Sequence, residues 1–162
     1  MPRHRSSATP LKAAAALFAL LGAPLSAQQL GFSAATIEPS PGIRITGAGP
    51  LRVPIAVRIR RGYHINSDKP NDPYLIPTSL AWPSVPLRVD SVSYPPAEEV
   101  KYDFSDKPLS VYSSRVEIVT TFHVESVPAD TGELRGSFRF QACNDKACLP
   151  PKTLPVRVPV RR

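Results

Sequence analysis

Along most of the chain hydrophobic and polar residues alternate with a period of two. That spacing turns one face of a β-strand to a core and the other to water. Leu51, Val53, Ile55, Val57 and Ile59 alternate with Arg52, Pro54, Ala56, Arg58 and Arg60. Val116, Ile118, Phe122 and Val124 share one parity, with Glu117, Thr121 and His123 on the other. Phe138, Phe140 and Ala142 oppose Ser137, Arg139 and Gln141, and Leu154, Val156, Val158 and Val160 alternate with Pro155, Arg157 and Pro159. Each run predicts a half-buried strand. Weaker strand patterns run from Phe32 to Ile37, Thr78 to Trp82 and Leu87 to Tyr94. After residue 27 no window carries a helical stripe.

The 20 prolines punctuate this pattern. Most fall between the runs. Pro54, Pro155 and Pro159 fall inside them, which predicts edge strands, where a missing backbone donor is tolerated. Seven or eight short strands with turn residues between them predict an all-β fold, an antiparallel β-sandwich. Two long connections stand out, Asn66 to Pro77 and Pro95 to Leu109. The second carries Tyr102 and Phe104 among acids. Aromatic rings in a polar loop pack down on something, here either the end of the core or a site.

The first residues change the picture of the whole chain. Arg3, Arg5 and Lys12 precede an apolar run from Ala13 to Leu21, which Gly22 and Pro24 break. The run is too short to span a bilayer, and Leu25-Ser26-Ala27 offers a cleavage site. Residues 1–27 are therefore expected to be a signal peptide cut near Ala27, and 28–162 one exported domain. Cleavage would take three of the basic residues out of the +7 net charge and no acidic residue with them. The arginines that remain alternate with apolar residues or sit at ends, as solvated strand faces do. They form no nucleic-acid patch.

Export implies an oxidising compartment. The chain has two cysteines, Cys143 and Cys148, four residues apart and between two strand patterns. The turn Asn144-Asp145-Lys146-Ala147 brings them within disulfide reach. The parity of Phe138, Phe140 and Ala142 places Cys143 on the outward face, open to exchange. A bond closing so small a loop stabilises by only about 2 kcal/mol in the chain-entropy account. That favours a redox pair over a staple, while a structural hairpin disulfide and a soft-metal site with His64 stay open on spacing alone. His123 sits on a polar strand face. No metal is called for by the spacing, and no hydrolase, transferase or cofactor-binding motif is present.

The stretch FRFQACNDKACLPPKTLPVRV resembles the C-terminal hairpin of the N-terminal periplasmic domain of the thiol:disulfide interchange protein DsbD, with its paired cysteines followed by Pro-Pro. RGYHINSDKP resembles that family's Gly-aromatic strand end, and YDFSDKPLSVYSS its aromatic cap loop. The resemblance implies an immunoglobulin-like β-sandwich that relays electrons by thiol–disulfide exchange. It makes Cys143 and Cys148 the redox pair and gives the mixed disulfide to Cys148. It makes Tyr102, Asp103 and Phe104 a cap over the pair, with Phe104 as the gate. It implies that Tyr63, His64 and Asn66 lie near the sulfurs, His64 and Asn66 standing where the family often has tyrosines.

The expected partners are thioredoxin-fold proteins or a membrane electron-transfer protein, in the periplasm, with no nucleic acid and contact with a membrane only through a partner. The chain ends at Arg162 and reads as a stand-alone version that takes its electrons from a separate protein. The competing expectation is a secreted, non-enzymatic β-sandwich that binds a partner and is stapled by its disulfide.

Overall fold

Alternation of apolar and polar residues builds two pairs of long strands, and the rest of the fold hangs on them. In the computed structural model the described residues are 32–83, 85–126 and 132–161. The expected signal peptide lies outside them. Twelve strands and no helix occur among the described residues. The first long pair is β3 (Gly49–Ile59) with β9 (Arg115–Val124), antiparallel from Gly49↔Val124 to Arg58↔Arg115. β1 (Ala35–Ile37) flanks β3 and β6 (Arg88–Ser93) flanks β9, so the first sheet has the order β1-β3-β9-β6. The second long pair is β10 (Glu133–Phe140) with β12 (Lys152–Arg161), bounded by β5 (Ser79–Ala81) and β2 (Ile43–Arg44) in the order β2-β12-β10-β5. All pairings are antiparallel except the two-residue contact of β2 with β12.

The inward parity is the expected one. Val53, Ile55, Val57 and Ile59 are buried on β3, and Val116, Ile118, Phe122 and Val124 on β9. Leu134, Phe138, Val156 and Val158 meet them from the second sheet in one core. Trp82 closes it, edge-on to Phe122 at 5.2 Å, with its indole N–H donating to the buried Thr120 hydroxyl at 2.8 Å. Buried polar atoms in such a place require partners, and each here supplies the other's. Gly136 on β10 lets this indole in: a Cβ there would lie 2.7 Å from the Trp82 ring.

The expectation of edge strands at the internal prolines is corrected. β3 and β12 each have a neighbour on both sides. The prolines are accommodated because the outer neighbours are short. β1 pairs with β3 only at Val57–Ile59, and β2 pairs with β12 only at Val160–Arg161. On β3, Arg60 N–H and Ala56 C=O point to the β1 side, so even-numbered residues face outward and Pro54 lacks its donor beyond the end of β1. On β12, Val160 N–H points to Gly132, so odd-numbered residues face away from β10, and Pro155 and Pro159 lack theirs where β2 does not pair.

The second of the two long connections is not a plain loop. A third sheet, of order β11-β4-β8-β7, contains β4 (His64–Asn66), β7 (Glu98–Val100), β8 (Leu109–Ser113) and β11 (Ala142–Cys143). β8 passes into β9 and the first sheet at Ser114, the one non-glycine residue described with a positive φ, 58°. The sandwich expected from the alternation is thus present, with this small sheet closing the end that carries the cysteines.

The site around Cys143 and Cys148

Asn144 makes the turn that joins the cysteines. Its side-chain oxygen accepts from the N–H groups of Lys146 and Ala147, both at 2.9 Å, and its own N–H donates to Ala147 C=O. A short polar side chain that bonds the backbone two and three residues on is the usual reason for an Asn at this position. Leu149 N–H returns to Ala142 C=O at 2.8 Å. Cys143 and Cys148 are thereby opposed across a narrow antiparallel rung and joined by a disulfide, with their Cα atoms 3.9 Å apart.

The two sulfurs' environments differ. Cys148 is exposed, whereas Cys143 is 0% exposed. The outward placement of Cys143 is therefore corrected. Strand parity stops applying at Gln141, where the chain leaves β10. β11 pairs instead with β4, setting Cys143 against His64 and Ala142 against Ile65. Directly opposed residues share a face of the sheet, so the His64 imidazole lies beside Cys143. His64 is 3% exposed, and burial holds its pKa below the ordinary imidazole value. Its Nε2 has no hydrogen-bond partner.

The cap loop covers this face as a stack of rings. Tyr102 lies on His64 with centroids 4.2 Å apart, and Phe104 lies on Tyr102 at 5.5 Å. Phe104 is the outer ring and is 40% exposed. Asp103 between them is exposed. Tyr102, the ring next to His64, has its phenol pushed up in pKa by burial and by the charge of Glu98. The loop is tied down by Lys101 Nζ donating to Ser105 C=O, and by Asn71, which donates to Glu99 and to Pro108 C=O.

Beneath the cap a polar network fixes β4 to the cysteine hairpin. Asn66, fully buried, donates to Ile76 C=O at 2.9 Å and to Gln141 Oε1 at 3.1 Å, leaving its own Oδ1 without a partner. Gln141 Oε1 also accepts from Ile76 N–H at 3.1 Å, and its amide donates to Leu149 C=O at 3.3 Å. Gln141 thus clasps both ends of the loop that holds the disulfide. Nearby, the Tyr112 hydroxyl donates to Asp68 at 2.5 Å, and burial together with that carboxylate pushes the phenol's pKa strongly upward.

Of the residues singled out from sequence, Cys143, Cys148, His64, Asn66, Tyr102 and Phe104 come together here. Tyr63 does not join the ring stack. It packs on Phe32 at 5.3 Å in a separate cluster with Arg60. His123 faces Asp90 on the first sheet, 3.8 Å away. Gln141 was missed, because a glutamine on the outward parity of a strand looks like any solvated residue. Among the described residues no group of three or more His, Cys, Asp or Glu is placed to hold a metal ion. A surface depression of about 890 Å³ is lined in part by Arg58, Arg60, Arg61 and Arg115 and contains neither cysteine.

No curated protein matches the chain. The chain is similar to the reduced N-terminal domain of DsbD from Neisseria meningitidis, at 16% identity and a TM-score of 0.44, over 70% of this chain and 84% of that one. It is also similar to the N-terminal periplasmic domain of ScsB from Proteus mirabilis, at 12% identity and a TM-score of 0.53, over 77% of this chain. It spans only 44% of the ScsB chain, and that likeness speaks for the shared fold, an immunoglobulin-like β-sandwich. The profile of the family described as thiol:disulfide interchange protein DsbD, N-terminal, matches residues 44–159, which takes in the cap loop and the cysteine hairpin. With most of its length accounted for in this way, the chain belongs to the family of DsbD N-terminal domains.

Proposed function

We propose that the domain formed by residues 28–162 acts in the periplasm, after removal of residues 1–27, as a thiol–disulfide relay between thioredoxin-fold proteins. The observation that carries this reading is the asymmetry of the disulfide: Cys148 is exposed and Cys143 is buried. Exchange requires in-line approach of one thiolate to one sulfur. In the oxidised form an incoming thiolate reaches Cys148, forms the mixed disulfide there and expels Cys143 as the leaving thiolate. A second thiol of the partner then releases the reduced domain. In the opposite direction Cys148 attacks a partner's disulfide and Cys143 resolves the intermediate. Tyr102 and Phe104 restrict access to Cys143 until a partner displaces the ring stack. Asp103 stands exposed at the tip of this cap, where a docking partner meets it first.

The test is the reduction potential of the pair, measured by equilibration against glutathione or dithiothreitol couples. A relay pair is expected between about −180 and −270 mV. A value below about −300 mV marks a structural disulfide and would replace the relay with a stapled binding module.

A further inference from the structure

Two buried polar atoms near the disulfide have no partner, His64 Nε2 and Asn66 Oδ1. Native interiors rarely leave such an atom unmatched, and the exceptions ask for a reason. Asn66 is held by its amide hydrogens to Ile76 and Gln141. His64 has no such anchor at Nε2. It lies on the face of Cys143, under Tyr102, in a site closed to water. The groups that face it are few. They are Cys143 from β11, Ser113 from β8, whose hydroxyl donates to Glu98 of β7 at 2.8 Å, and the phenol of Tyr102 from the cap. The disulfide offers no proton to Nε2, but reduction places an S–H on Cys143, directly across the rung.

We propose that His64 is the proton acceptor for Cys143, its unpartnered Nε2 being the atom that the Cys143 thiol hydrogen-bonds once the disulfide is reduced. The proposal rests on the relay reading. When Cys148 carries a mixed disulfide, Nε2 takes the proton from the Cys143 thiol. The resulting thiolate attacks Cys148 Sγ, the bond from Cys148 to the partner's sulfur breaks, and the partner leaves as a thiolate that is protonated by solvent. Two electrons pass from the cysteine pair to the partner, and His64 returns its proton to water. In the reverse direction the imidazolium protonates Cys143 as it is expelled. Burial keeps the free imidazole neutral at physiological pH, the state a proton acceptor needs.

The experiment uses the reduced full chain and glutathione disulfide at concentrations where the rate levels off, so that the plateau reports attack by Cys143 on the mixed disulfide. Thiol and imidazole titrate as a coupled pair, so the wild-type plateau is expected to change less than about twofold between pH 6.5 and 8. His64→Phe keeps a ring under Tyr102 and removes the acceptor. Its plateau is expected to rise about tenfold per pH unit, as a lone thiol with a pKa of about 8.5 or above would, and to lie at least about tenfold below wild type at pH 6.5. Parallel profiles in the two proteins would overturn the proposal. A second measurement needs no variant: the His64 Nε2 nitrogen resonance is expected to move on reduction, and an unmoved resonance would overturn the proposal even if His64→Phe does not fold. Absence of any exchange with glutathione in the wild type would instead defeat the relay itself.

Discussion

The ring stack makes a quantitative statement about access to Cys143. Tyr102 takes part in two stacked contacts, with His64 at 4.2 Å and Phe104 at 5.5 Å, whereas Phe104 takes part in the outer one and is 40% exposed. An aromatic pair contributes about 0.5–1.5 kcal/mol beyond its buried area. Tyr102→Ala removes both contacts, about 1–3 kcal/mol of the preference for the closed cap. That corresponds to about 5- to 150-fold more open cap, since about 1.4 kcal/mol is tenfold. Phe104→Ala removes one contact and is expected to open the cap about 2- to 12-fold. The assay is alkylation of the reduced protein by iodoacetamide, with Cys143 and Cys148 followed separately by peptide mass spectrometry. When opening and closing are fast, the rate at a buried group tracks the open population. Modification of exposed Cys148 should change little, while Cys143 should accelerate in the order Tyr102→Ala over Phe104→Ala over wild type. The double variant should match Tyr102→Ala, because Phe104 acts through Tyr102. Equal Cys143 rates in all the proteins, or a larger effect of Phe104→Ala, would refute the stack as the barrier.

Other consequences can be measured directly. Gln141→Leu strands Ile76 N–H and Leu149 C=O, and at about 1 kcal/mol per lost hydrogen bond it should lower stability by about 2–3 kcal/mol in urea unfolding of the oxidised protein; an unchanged midpoint would show that the clasp contributes nothing. Gly136→Ala drives a methyl into Trp82 and should destabilise by about 1–3 kcal/mol, read in the same titration. Because folding lowers the His64 pKa, the unfolded chain binds the extra proton below its pKa of about 6.5. The oxidised protein should therefore lose stability as pH falls through that value. In His64→Phe this part of the decline should vanish, and an identical decline in both proteins would refute its origin in His64.

What the sequence makes legible follows from which residues face water. β3, β9, β10 and β12 each bury one side, so their alternation announces them. β8 (LSVYS) is buried at four consecutive positions and β4 (HIN) at all three, so neither shows a period. β8 therefore reads as part of the cap loop, and β4 reads as a strand end only through the family resemblance. The cysteine pair is plain in the chain, and so are the aromatic rings of its cap. The burial of Cys143 is not, because the parity of β10 ends where β11 turns to pair with His64. Nor is Gln141 visible as a clasp, since its partners Ile76 and Leu149 meet it only once three separate segments have closed on one another.

The prolines of β3 and β12 bear on how copies of this chain behave when crowded. On the outer side of β3, Pro50 and Pro54 remove alternate backbone donors, and on the outer side of β12 Pro155 and Pro159 do the same with the same four-residue spacing. A foreign strand laid along either flank would find every second backbone donor missing. Cross-β growth by strand addition, the usual route from an open sheet margin to a fibril, is blocked there by a covalent ring and not by a removable charge. The protection therefore holds at any salt concentration or pH.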